Sequence, residues 1–199
     1  MKKYAACFLT AAFSFGMAVS AFALGETGTT VLYKMTHRTQ AGALVTYVAY
    51  NIAATDDNGY WLQRVALMTP TSAPLSITQT RLDAETHQPQ RYIMHRPANM
   101  DHPANVIDLP LAKMGKDEIL PAQAESGDVQ VTTEAGTFSA KEIAGEHATL
   151  SVSADVPVLG VVKAESDEWT MELVSMSDTA ADLLPKKPDK GGIVYLNEE

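Results

Sequence analysis

The segment Ser151–Ser175, SVSADVPVLGVVKAESDEWTMELVS, decides the fold. Val156, Val158, Gly160 and Val162 alternate with Pro157, Leu159 and Val161, so an extended chain here is apolar on both sides as far as Lys163. Ala164–Glu168 is polar enough to turn the chain. Trp169, Met171 and Leu173 then alternate with Thr170 and Glu172, the pattern of a half-buried strand. The segment predicts a hairpin whose first arm, 156–162, is covered on both faces and whose second arm meets water on one.

The same alternation runs upstream. Val31, Tyr33 and Met35 mark a first strand, and LVTYVAYNIA at Leu44–Ala53 a second. The turn Asp56-Asp57-Asn58-Gly59 leads to a third, Tyr60–Met68; Asn-Gly is expected to supply the positive φ angles of a tight hairpin. Strands follow at Leu75–Asp83 and Gln90–His95. Arg96–Asn105, with two prolines and no period, reads as a loop. Ile107–Glu118 starts extended and holds at most a turn of helix near Leu111–Met114. Val129–Thr133, Thr137–Ile143 and Ala148–Val152 are further strands, and Thr179–Leu184 a brief helical turn. Pro185–Gly192 is linker-like, and Ile193–Leu196 a short apolar tail expected to fray, or else to dock on an edge or a partner. Regular short strands with almost no helix predict a mainly β protein: a strongly curved antiparallel sheet, open or half barrel, with one or two short helices on its concave side.

The start of the chain reads as an export signal. Lys2 and Lys3 precede the uncharged run Ala5–Phe22, and Ala21-Phe22-Ala23 fits a cleavage site. Cleavage there leaves 176 residues, enough for one domain without staples (24–184, then the tail 185–199), and removes Cys7, the only cysteine. It also lowers the basic count to 13 against 24 acids, a net charge of −11, which disfavours nucleic acid and anionic membranes as partners. No later run is long and apolar enough to span a bilayer. The expected location is the periplasm.

Val131-Thr132-Thr133-Glu134-Ala135-Gly136-Thr137-Phe138, Asp155–Lys163, Glu165-Ser166 and Met171-Glu172-Leu173 together resemble a group of uncharacterised bacterial exported proteins. Their C-terminal halves carry an AGxF…VPVxGxVKxES…MEL pattern. Those proteins are similar in turn to the lipoprotein-localisation-factor (LolA/LolB-like) superfamily. The resemblance implies an open curved sheet with helices on the concave side, an acyl chain or partner protein held there, and no catalytic residues. The chain departs from the pattern at Leu150-Ser151-Val152-Ser153, where the family often places a tryptophan.

Motifs for chemistry are sparse. The densest cluster is Met94-His95…Met100-Asp101-His102, residue types that suit copper(I) or zinc but at no recognised metal spacing. His37, His87 and His147 stand singly. Asp56–Gly59 lacks the spaced ligands of a calcium loop. Nucleophile elbow, zinc-protease helix and phosphate loop are all missing from the sequence. Neither a cofactor nor catalysis is expected. A curved sheet can instead enclose an apolar cavity, for which Tyr47, Tyr50, Tyr60, Trp61, Met68, Tyr92, Phe138, Val158 and Met171 are the candidate lining. The expectation is a non-enzymatic exported protein that carries or senses a lipid, another apolar molecule or a lipidated partner. The alternatives are an interaction domain engaging another envelope protein, and a Met/His metal-binding protein.

Overall fold

The structure, a computed structural model, describes residues 27–98, 102–110, 124–145, 148–179, 182–185, 187 and 191–196, without the side chains of 110 and 124–126. The export signal, the helix turn expected at 111–114, Met100, Asp101 and His147 lie outside these residues. Among the described residues the chain forms twelve strands and no helix. They are β1 (Thr30–Thr39), β2 (Gly42–Asp56), β3 (Gly59–Leu67), β4 (Pro74–Asp83), β5 (Pro89–Arg96), β6 (Asn105–Pro110), β7 (Ala124–Thr133), β8 (Gly136–Ala144), β9 (Thr149–Val152), β10 (Val161–Glu165), β11 (Trp169–Ser177) and β12 (Gly192–Tyr195).

All twelve join one antiparallel sheet in the order β12-β6-β5-β4-β3-β2-β1-β11-β10-β9-β8-β7, open because β12 and β7 remain its edges. β1–β6 and β7–β11 are two meanders, welded where β1 pairs with β11 (Tyr33 opposite Leu173, Met35 opposite Met171). Bulges at Leu32/Tyr33, Ile52/Ala54 and Val161/Lys163 add twist. The second meander curls until β7 comes within 8 Å, Cα to Cα, of β10 and β11.

The hairpin of Ser151–Ser175 exists, but its first arm is shorter than the apolar run. β10 starts at Val161 and pairs with β11 through Ala164 opposite Met171. Residues 153–160 form a buried loop instead of a two-sided strand, for a backbone reason. Val158 (φ 68°) and Gly160 (φ 68°) are both left-handed, and a chain that turns that way twice within three residues does not run on as a regular strand. The loop satisfies its own polar groups: the Ser153 N–H donates to the Gly160 carbonyl (2.7 Å) and the Leu159 N–H to the Pro157 carbonyl (2.8 Å). Val156, Val158 and Leu159 are thereby driven into the larger core with Val31, Tyr33, Ile52, Phe138, Val162 and Leu173. The wholly buried Tyr33 hydroxyl donates to the Val161 carbonyl (2.8 Å), fixing the point where loop becomes strand. Among the described residues it is this loop, and no helix, that packs against the sheet there.

The opposite face carries a row of side-chain amides. Gln63 Nε2 donates to Asn51 Oδ1 (3.2 Å) and Gln79 Nε2 to Gln63 Oε1 (2.9 Å), with both glutamines at 0% exposure. A C-terminal strap covers them where a helical turn was expected. The Asp182 carboxylate accepts from Gln79 Nε2 (2.6 Å), and the Leu183 N–H donates to Gln63 Oε1 (3.0 Å). Leu184 joins Val65, Leu67, Ile77, Ile93 and Val106 in a second core. The strap then reaches the far edge, where residues 192–195 pair with β6 as β12, so the tail docks and does not fray.

The β2–β3 turn departs from expectation too. None of residues 57–59 has a positive φ. Asp56 Oδ1 accepts the Asn58 N–H (3.0 Å), and Arg81 grips both Asp56 oxygens (2.5 and 2.8 Å), the strongest of the influences that hold that carboxyl down to about 2. Gly59 is required for space: a Cβ there would stand 2.2 Å from the Leu82 carbonyl oxygen. Gly59→Ala is therefore expected to destabilise the protein by about 1–3 kcal/mol in urea melts, and a loss below about 0.5 kcal/mol would contradict the packing. At Val158 the backbone can be isolated, because Val158→Ala and Val158→Gly both delete the buried side chain. The glycine variant should be the more stable by about 1 kcal/mol, the reverse of the usual order.

Candidate functional site

Where β7 curls over β9–β11 it leaves a groove of about 1080 Å³. Val129, Gln130 and Val131 of β7 form one wall. Thr149 and Ser151 of β9, Lys163 and Glu165 of β10 and Trp169 of β11 form the other, with Glu142 and Arg38 at its ends. Strand alternation explains the mixture: Ser151, Lys163 and Glu165 occupy the side of β9 and β10 opposite Leu150, Val152 and Ala164, which face the core.

The turn at 166–168 is held from two directions. Ser166 Oγ accepts the Glu168 and Trp169 N–H groups (both 3.2 Å), which seats Trp169 at the start of β11. Arg38 reaches across from β1 and donates to the carbonyls of Ser166 (3.2 Å) and Asp167 (2.9 Å) and to Glu165 Oε1 (3.4 Å). Lys163 bridges Glu165 (3.0 Å) and Glu172 (3.7 Å). The Glu165 carboxyl is consequently held below the ordinary carboxylate range, first by its hydrogen bond to Lys163 and then by that cation's charge and by Arg38. Glu142, Glu165, Asp167 and Glu168 outnumber Arg38 and Lys163, so the lining is net acidic. No histidine or cysteine stands among these lining residues. What they offer is a set of paired charges, hydroxyls and amides beside the apolar surfaces of Val129, Val131 and Trp169.

None of the nine residues expected to line a cavity lines this groove. Tyr60, Phe138, Val158 and Met171 are buried together in the larger core, with Tyr50 packed against it. Tyr47 and Trp61 pack on the second core from the opposite face. Met68 is 49% exposed beyond the end of β3, and Tyr92 is half-buried on β5. Of the Met/His cluster, Met94 and His95 are neighbours in β5 and project to opposite faces. His102 is exposed, and no three His, Cys, Asp or Glu side chains among the described residues are grouped as metal ligands. His87 hydrogen-bonds the Tyr60 hydroxyl through Nδ1 (3.1 Å).

The chain matches no family model and no curated protein. Among solved structures it is similar to a presumed exported protein with YmcC-like fold from Bacteroides fragilis (10% identity, TM-score 0.43, 78% of this chain and 98% of that one). A presumed lipoprotein from Parabacteroides distasonis is similar to the same degree (12% identity, TM-score 0.43, 78% and 97%). At that score neither likeness bears on function, and neither bears on the resemblance to lipoprotein-localisation factors.

The groove's electrostatics are directly testable. A carboxyl whose folded pKa is depressed stabilises the fold above its unfolded pKa, and that contribution is lost as pH falls through the folded value. Carboxyl NMR should find Glu165 titrating below the ordinary glutamate range, and Lys163→Met should return it toward that range. A Glu165 midpoint that Lys163→Met leaves unmoved would show that the pairing does not hold it down.

Proposed function

We propose that the protein is an exported, non-enzymatic binding protein that holds an amphipathic ligand in the groove between β7 and β9–β11. The observation that carries this reading is the composition of the walls: valines and an indole share one open volume with fixed charges and hydroxyls. An alkyl or acyl portion lies along Val129, Val131 and Trp169, each buried methylene contributing about 0.8 kcal/mol. The polar end of the ligand meets the charged residues around Arg38, Lys163 and Glu165. Because the lining is net acidic, that end is uncharged or zwitterionic. The export signal read at 1–23 supports a periplasmic setting for this function. The binding surface is the groove and not the sheet interior, which core side chains and the 153–160 loop occupy wherever the structure describes it.

Trp169 supplies the assay. The chain has two tryptophans, and Trp61 lies under Lys187 (5.2 Å) on the other core, so Trp61→Phe leaves Trp169 as the sole reporter. Titrating that variant with dodecylphosphocholine below its micellar concentration should shift and saturate the emission. Adding Val131→Arg should weaken the response at least tenfold. An emission that ignores the probe, or a response indifferent to Val131→Arg, would refute the assignment.

A further inference from the structure

Three of the five arginines engage carboxylates: Arg38 with Glu165, Arg81 with Asp56 and Arg91 with Asp108. The remaining two, Arg64 and Arg96, have no ion pair among the described residues, yet they lie close together on the Tyr33 face of the first meander. Arg64 of β3 stands opposite Thr78 of β4, which stands opposite Met94 of β5. At a strand spacing of about 4.8 Å, that row spans roughly 10 Å. Arg96 folds back along β5, its Nε 3.3 Å from the Met94 sulfur, and so approaches the same row from the far side. Tyr92 projects from the same face of β5. Its phenol is raised by burial but drawn the other way by Arg64, by a hydrogen bond from Thr78 and by Arg96, so it feels both guanidinium charges.

Two features mark this place as unfinished. The Arg64 Nε–H is buried and has no acceptor, and the Asn105 side-chain oxygen beside Arg96 is buried without a partner. A buried donor left unpaired costs about 1–3 kcal/mol, more when charged, so native structures ordinarily supply it with a partner. The surrounding residues on this face are Tyr50, Ala66, Ser76, Thr80, Ile107 and Leu109, none of them acidic. In a chain of net charge −9, two guanidinium groups with no facing carboxylate among the described residues form a local exception. An apolar strip runs outward from them. Ile107 is followed by Ile193 of β12, 58% exposed, with Leu109 and Tyr195 also exposed beside it.

We propose that this face is a second ligand site, separate from the groove, which takes an anionic amphiphile. A carboxylate or phosphate head is held between Arg64 and Arg96, with the Tyr92 and Thr78 hydroxyls beside it, and the chain lies over Ile107, Leu109 and Ile193. The guanidinium fork suits either oxyanion, and Arg64 Nε gains the acceptor it lacks.

The experiment is calorimetry on the full mature chain carrying Val131→Arg, so that the groove does not contribute. Three probes are compared below their micellar concentrations: dodecyl phosphate, dodecyl maltoside and inorganic phosphate. Dodecyl phosphate should bind at least tenfold more tightly than dodecyl maltoside, and Arg64→Met or Arg96→Met should each remove at least tenfold of that affinity while leaving the maltoside unaffected. Inorganic phosphate should compete only at far higher concentration; if it binds as tightly as the amphiphile, the head site stands and the chain-binding strip is refuted. Equal affinity for the charged and neutral heads, or indifference to both methionine variants, overturns the site. Thermal melts accompany each variant, and Arg64→Lys, which keeps the charge but loses the fork, serves if Arg64→Met does not fold. It should bind dodecyl phosphate more weakly than the parent, and unchanged affinity would overturn the role of the fork.

Discussion

Gln63 and Gln79 sit with no exposure in the middle of a twelve-stranded sheet, and much of the architecture follows from having to satisfy them. Each unpaired amide group at such depth costs about 1–3 kcal/mol. The neighbouring strands supply part of the answer by linking Asn51, Gln63 and Gln79 in a row. Further partners come from more than one hundred residues away in sequence, as the Asp182 carboxylate and the Leu183 amide, while Gln79 Oε1 stays buried without one. Burial works to raise the Asp182 carboxyl, but its bonds to Lys187, the Leu184 N–H and Gln79 outweigh that and hold it down. The strap is thus tied to the sheet as a polar element first and an apolar one second. Having crossed to the far edge, it has an edge strand to pair with, and β12 forms there.

The opposite face solves the same problem with different chemistry. Its core is closed by a loop that turns back on itself, and the cost is a valine in the left-handed region, about 1–2 kcal/mol. That cost is tolerated because Val156, Val158 and Leu159 all bury their side chains, and because Tyr33 gives the first carbonyl of β10 a partner inside the core. An open sheet has two faces to cover. In the described residues this chain covers them with a buried turn and a strap.

The strands were legible because their evidence is local. Alternation at Val31–Met35, Leu44–Ala53, Tyr60–Met68 and Trp169–Leu173 reports burial on one face, and each of these stretches is a strand. The run at 156–162 misled for the same reason. Continuous apolarity records burial and not backbone direction, so a plugged loop and a two-sided strand read alike. Asn58-Gly59 shows a similar ambiguity: the glycine answers to the Leu82 carbonyl on β4, a neighbour the local sequence does not reveal. Gln63 breaks the otherwise apolar face of Trp61, Val65 and Leu67, a local sign of the amide row. Its capping strap could not be read from it. The cavity residues were chosen for size and aromaticity, properties that also build a filled core. The groove residues were passed over because Lys163, Glu165 and Arg38 look like ordinary surface charges until the curl of β7 brings a wall opposite them.

That curl ties the groove to the least local feature of the fold. Each meander is made of neighbours in sequence, whereas β1 meets β11 only across more than 130 residues. Pairings of that span pay loop-closure entropy before their contacts offset it, which slows the folding of sheets of this kind. Arg38 belongs to β1, while the turn it holds, the lysine–glutamate pair beside it and Trp169 all belong to the second meander. Each meander can therefore be fully hydrogen-bonded with the groove still lacking one of its two cations and the clamp on its turn. Formation of the site and closure of the longest-range pairing in the sheet are, on this geometry, the same event.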